Sequence, residues 1–122
     1  MERDIQSSVL KYLNSLPGCM AENVRGNASQ SGRADINACY KGNCLKIELK
    51  DPNDKSYGIT AQQKLYLEKW KRAGAIVKVC YSLDDVKMLI NKLELEQINN
   101  EISRKLERRR QAEQDSANGS AT

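Results

Sequence analysis

The chain contains no histidine, which removes Ser/His/Asp triads, Cys/His proteases, HExxH zinc sites and every nuclease that uses a histidine base or ligand. Any catalysis must rest on carboxylates, lysine or cysteine. The four cysteines, Cys19, Cys39, Cys44 and Cys80, include no CxxC pair, so the usual spacing of a zinc site is missing. Buried free thiols are the plainer reading, and a site built from all four thiolates is the other. There is no apolar run long enough to span a membrane and nothing that reads as a signal peptide, so a cytosolic, reduced protein is expected.

What is present fits one small globular domain: 122 residues, 39% apolar and 30% charged, enough for a real core but not for two. The formal charge is +4, and the basic excess lies in residues 1 to 91, with 14 Lys/Arg against 10 Asp/Glu. An excess of this size suits an anionic partner such as nucleic acid, although many metabolic enzymes are equally basic.

Two alternating runs carry the densest information. In the first, Ala34, Ile36, Ala38 and Tyr40 share one face and Asp35, Asn37 and Cys39 the other; in the second, "LKIELK", Leu45, Ile47 and Leu49 oppose Lys46, Glu48 and Lys50. Lys41-Gly42 between them predicts a two-residue hairpin loop. That register sets Tyr40 against Asn43, Cys39 against Cys44, Ile36 against Ile47, and Asp35 against Glu48. Directly opposed carboxylates, with Cβ atoms ~4.5 to 5.5 Å apart, repel each other. Two remedies are open: Lys46 or Lys50 relieves the charge on a solvated face, or a bound cation does.

Upstream, Ile5, Val9, Tyr12, Leu13 and Leu16 form one helical stripe that Pro17-Gly18 ends. Glu2 precedes Ile5 by one turn on that stripe, either pointing to the core edge or simply favoured in a first turn by the helix dipole. Residues 19 to 25 can form an irregular strand. The loop "RGNASQSGR" (25 to 33) has Arg25 and Arg33 at its ends; it either offers guanidinium and backbone N–H groups to phosphates or is a solvated connection. "DPNDKSYG" (51 to 58) is a polar loop of the kind that covers ligands. Lys46 and Lys55 join the two arginines as candidate nucleic-acid contacts.

Thr60 can cap a helix to about Ala73, with Gln63, Tyr66, Leu67, Trp70 and Gly74 along its inner stripe. The apolar run from Ala75 to Tyr81 predicts a strand buried on both faces. Ser82 and Asp85 form a capping-box-like start to a helix through Val86, Leu89, Ile90 and Leu93. No glycine or proline follows until Gly119, and Leu95, Ile98, Ile102 and Leu106 make an offset second stripe, so the helix is expected to reach about Arg110. That stripe either meets a second copy or folds back on its own domain. The organisation expected is a core of residues 1–92, a helical extension of 93–113 and a disordered tail of 114–122.

The pieces "SGRADI" (31 to 36), "IELK" (47 to 50), "ITAQQ" (59 to 63) and "AGAIVKVCYSLDDV" (73 to 86), in this order and spacing, resemble the virus-type replication-repair nuclease (VRR-NUC) family of the PD-(D/E)XK nucleases. The resemblance covers roughly residues 2 to 90, and Ala34 stands where that family commonly has proline. It implies a restriction-endonuclease-like α/β core of order αβββαβ, with a mixed sheet and helices on both faces, plus a C-terminal helical extension. It further implies Mg2+- or Mn2+-dependent cleavage of DNA, selective for branched or junction structures in replication, repair or recombination, in the cytoplasm of a bacterial or phage-infected cell. Asp35, Glu48, the Leu49 carbonyl and Glu2 would hold the metal, Lys50 would orient water and stabilise the transition state, and Gln63 would position water, Lys50 or phosphate. The resemblance also implies a homodimer, since stand-alone members of that family tend to act as one. Two other readings are a nucleic-acid-binding module that keeps this fold without cutting, and a small helical adaptor protein.

Overall fold

The computed structural model describes residues 2–24, 35–50 and 61–120. Helix α1 (Glu2–Ser15) buries Val9 and Leu13 completely, two members of the expected stripe. Gly18, at φ 73°, turns the chain, and its carbonyl accepts from Lys41 N–H at 2.8 Å. Strand β1 (Cys19–Asn23) follows. The Asn14 side chain ties α1 to it, donating to the Ala21 carbonyl at 3.1 Å and accepting from Ala21 N–H at 2.9 Å. Gln6 adds a bond to Asn23.

Strands β2 (Ile36–Tyr40) and β3 (Asn43–Leu49) form the predicted hairpin in the predicted register, with Ile36 against Ile47 and Cys39 against Cys44. Lys41 and Gly42 both have positive φ, 47° and 87°, the backbone of a type I′ turn whose twist suits the strands. Strand β1 pairs antiparallel with β2, and β4 (Ile76–Cys80) pairs parallel with β3, giving the order β1-β2-β3-β4. Parallel pairing requires a crossover, and helix α2 (Ala61–Arg72) supplies it. Gly74, at φ 105°, closes α2 through Gly74 N–H to Lys71 O and Ala75 N–H to Trp70 O, both 3.0 Å, a Schellman ending that satisfies its last carbonyls.

Burial corrects one expectation. The strand buried on both faces is β3, not β4: Leu45 to Leu49 are all buried, whereas β4 is the last strand of the sheet and exposes Lys78. Apolar residues Ala21, Ile36, Ala38, Tyr40, Leu45, Ile47 and Leu49 line one face of the sheet, on which α1 packs. Helix α2 lies over the other, bringing Trp70 to Lys46 and Gln63 to Glu48. A mixed sheet flanked by helices and followed by a C-terminal helical extension is the restriction-endonuclease-like arrangement.

The chain divides into two compact units, Met1–Val86 and Lys87–Thr122. Helix α3 (Leu83–Ser120) starts in the first. Ser82 Oγ accepts from Asp85 N–H at 3.2 Å, while Asp85 Oδ2 accepts from Tyr81 N–H at 2.8 Å, one residue earlier than a strict capping box. In the second unit, Leu89, Ile90 and Leu93 are buried, and Leu95, Ile98, Ile102 and Leu106 are half or more exposed. The disordered tail expected from residue 114 is helical as far as Ser120. Nothing in the preceding sequence breaks the helix, extension of a formed helix costs little, and Gln111 bonds Asp115 one turn on at 3.0 Å. Among the described residues no helix is long and apolar enough to cross a membrane.

Candidate active site

Backbone hydrogen bonds fix which way each residue of the hairpin faces. The Asp35 carbonyl accepts from Val24 N–H at 2.9 Å, toward β1, and Lys50 N–H donates to Cys80 O at 2.9 Å, toward β4. Backbone groups alternate along a strand, so Asp35 and Glu48, one step beyond the Ile36/Ile47 pair, exchange no bonds with each other. Such pairs bring their side chains closest, with Cα atoms ~4.5 Å apart. The Asp35 carboxylate reaches across the ladder instead, and its Oδ2 accepts from Leu49 N–H at 2.8 Å.

Glu48 is 2% exposed. Its Oε1 accepts from Gln63 Nε2 at 2.9 Å and lies 3.5 Å from Lys50 Nζ. Its Oε2 is buried and has no donor among the described residues. Burial first, and the Asp35 charge second, push the Glu48 carboxyl up from 4.5 to about 7, against a smaller opposing pull from Lys50. A buried carboxylate oxygen without a partner is costly, and this one lies beside a second carboxylate.

Lys46, the other buried charge among the described residues, is handled differently. Its Nζ donates to Asn37 Oδ1 at 2.8 Å and sits 3.7 Å from the centre of the Trp70 ring, a cation–π contact in a desolvated setting. Tyr66 packs edge-on against Trp70 at 6.2 Å.

The structure thus brings together Asp35, Glu48, Leu49, Lys50 and Gln63. Lys46 shares their face, but its ammonium is turned to Trp70 and Asn37 instead of being presented to solvent as a phosphate contact. Glu2 lies in the first turn of α1, and its side chain is outside the described residues, as are Arg25, Arg33, Lys55 and the cap Thr60. Asn37 and Trp70 were not among the expected site residues. The signals for them were present: Asn37 is the register partner of Lys46, and Trp70 stands two turns after Gln63 on the same helical stripe. The cysteines are free thiols as expected, yet Cys39 and Cys44 are exposed, not buried. They lie near the hairpin turn, on the sheet face that also carries Lys46 and Glu48.

Two solved structures share this fold. One, titled "VRR_NUC domain", is 23% identical, covers 74% of this chain and 94% of its own, and superposes with a TM-score of 0.60. The other, titled "VRR_NUC domain protein", is 19% identical, covers 75% of this chain and 85% of its own, and gives 0.57. The fold is that of the VRR_NUC structures. At these identities the likeness is one of fold, and no family model or curated protein sequence matches the chain.

Among the described residues no three His, Cys, Asp or Glu side chains gather as a metal-binding group. The carboxylate pair of this VRR_NUC-like fold nevertheless suits a hard cation. Mg2+ is commonly held by one or two carboxylates, its other positions going to water and substrate phosphate. The unpartnered Oε2 of Glu48 beside Asp35 is an oxygen donor of the required kind.

Proposed function

We propose that this chain is a divalent-metal-dependent nuclease of the VRR-NUC family that hydrolyses phosphodiester bonds in DNA, selecting branched or junction structures in replication, repair or recombination. The observation that carries the reading is Glu48: a buried carboxylate with one oxygen tied to Gln63 and Lys50 and the other unpartnered among the described residues, beside Asp35.

Asp35, Glu48 and the Leu49 carbonyl would hold Mg2+ or Mn2+, with Glu2 as a further ligand. When bound, the cation supplies Lewis acidity, acidifying water and neutralising charge that develops on phosphoryl oxygens. Gln63 fixes the Glu48 carboxylate through Oε1, which leaves Oε2 for the cation. Lys50, whose side chain is 21% exposed, keeps its ammonium within reach of a substrate phosphate; there it orients water and stabilises the charge of the transition state. Lys46, Asn37 and Trp70 hold α2 against β3 behind these groups, a positioning role. Arg25, Arg33 and Lys55 are the proposed phosphate contacts.

The active species is a homodimer joined through α3. Leu95, Ile98, Ile102 and Leu106 form the exposed stripe. Its N-terminal half is mainly acidic, with Glu94, Glu96 and Glu101 after Lys92, and its C-terminal half mainly basic, with Arg104, Lys105, Arg108, Arg109 and Arg110 around Glu107, which pairs with Arg110 at 3.9 Å. Antiparallel pairing of two copies sets the acidic half of each against the basic half of the other.

The test is cleavage of plasmid, flap, splayed-arm, four-way-junction and single-stranded substrates by the purified chain, with Mg2+ and with chelator. Metal-dependent cutting that disappears in Asp35→Ala and Glu48→Ala is the expected result. Binding without cutting under every condition would favour the non-cleaving module instead.

A further inference from the structure

We propose that Cys39 and Cys44 form a redox-active cross-strand dithiol, a site at which a low-molecular-weight disulfide such as oxidised glutathione converts the two thiols to an internal disulfide. The inference is independent of the nuclease reading, because it rests on the turn end of the hairpin and not on Asp35 or Glu48.

Register and backbone direction carry it. Cys39 pairs with Cys44 directly. The bonds that send Asp35 O toward β1 and Lys50 N–H toward β4 fix, by alternation, the same directions at Cys39 and Cys44. The pair is therefore non-hydrogen-bonded, with Cα atoms ~4.5 Å apart, inside the ~4.4 to 6.8 Å range that a disulfide spans. Closing the bond needs side-chain rotation and no strand movement. Both cysteines are exposed, and Met20, their neighbour in the same row on β1, is 74% exposed, so a small disulfide can reach them. The other two thiols differ: Cys80 is buried, and Cys19, paired with Tyr40, is on the opposite face of β1 from Met20.

The chemistry balances in two exchanges. The thiolate of one cysteine attacks a sulfur of oxidised glutathione; a protein–glutathione disulfide forms, and one glutathione leaves as thiolate. The second cysteine, as thiolate, attacks the protein sulfur of that mixed disulfide and releases the other glutathione. The protein loses two electrons and two protons, and one oxidised glutathione becomes two reduced molecules. Because the second thiol is already in place, its effective concentration is millimolar or above, and the mixed disulfide is short-lived.

The experiment uses the full-length folded chain, incubated with oxidised glutathione, quenched by acid and alkylation, and mapped by peptide mass spectrometry. The expected product is a Cys39–Cys44 cross-link with the loss of two hydrogens and little glutathione retained. In Cys39→Ser, the glutathione retained on Cys44 should rise by roughly tenfold or more, since no internal thiol displaces it. Stable glutathione on both cysteines of the unmodified sequence, or a cross-link joining a different pair, would overturn the proposal.

Discussion

Glu48 should make the protein's stability sensitive to pH and, on the proposed metal site, to divalent cations. Its carboxyl is raised to about 7 in the folded chain, so the folded state binds a proton that the unfolded state has released across the interval from 4.5 upward. Stability from this group is complete below 4.5 and lost as pH rises through about 7. The loss is at most about 3–4 kcal/mol, because a tenfold change in proton affinity is worth about 1.4 kcal/mol. Glu48→Gln keeps a side-chain partner for Gln63 and removes the titration. In thermal unfolding under chelator it should match the parent near pH 5 and exceed its Tm at pH 8; the same difference at both values would contradict the assignment. Adding Mg2+ at pH 8 should raise the Tm of the parent and leave the variant unmoved, because the ionised carboxylate is a ligand for a hard cation and the neutral amide is not. The two lysines separate by the same kind of argument. Lys50→Ala should lower turnover by orders of magnitude with a modest loss of DNA affinity, since its contact is made mainly in the transition state. Lys46→Ala should change turnover little and instead cost about 1–3 kcal/mol in denaturant unfolding, through the lost Asn37 bond and Trp70 contact. Equal effects on turnover would mean that these roles are wrong.

The hairpin shows what a one-dimensional pattern can specify. Lys41 holds φ 47° beside Gly42 at 87°, a conformation that asparagine adopts more readily than lysine. Lys41→Asn should therefore stabilise the chain by about 0.5 kcal/mol, a rise of a few degrees in Tm; an unchanged or lower Tm would show that the Lys41 contacts with Tyr40 and Gly18 outweigh backbone strain. Register was legible because period-two alternation and a two-residue loop leave one way to match the apolar faces, and with it came the juxtaposition of Asp35 and Glu48. Gln63 was legible from helical spacing. The burial of Lys46 was not: a lysine alternating with apolar residues looks the same whether solvent or a tryptophan from another helix covers it. Nor was the edge position of β4, since a short apolar run does not reveal how many neighbours a strand has. The last turns of α3 were misread because a polar composition resembles a disordered tail when the helix feeding into it is left out of account.

Chain association should be governed by α3, whose apolar stripe and segregated charges favour an antiparallel pair. Sedimentation at several concentrations should show a dimer for the parent chain and a monomer for Ile102→Lys, with circular dichroism unchanged; a dimer in both would place the interface elsewhere. High salt should weaken the dimer, because the flanking charges are exposed and screened. The chain also has a single tryptophan, and it is the ring against which the Lys46 ammonium rests at 3.7 Å. All of the indole fluorescence therefore arises at the seam between α2 and β3, on the face that carries Glu48. The protein holds a built-in optical reporter: ultraviolet emission, without any dye, reads the opening of this seam and tests whether a cation arrives at Glu48, two residues along the strand.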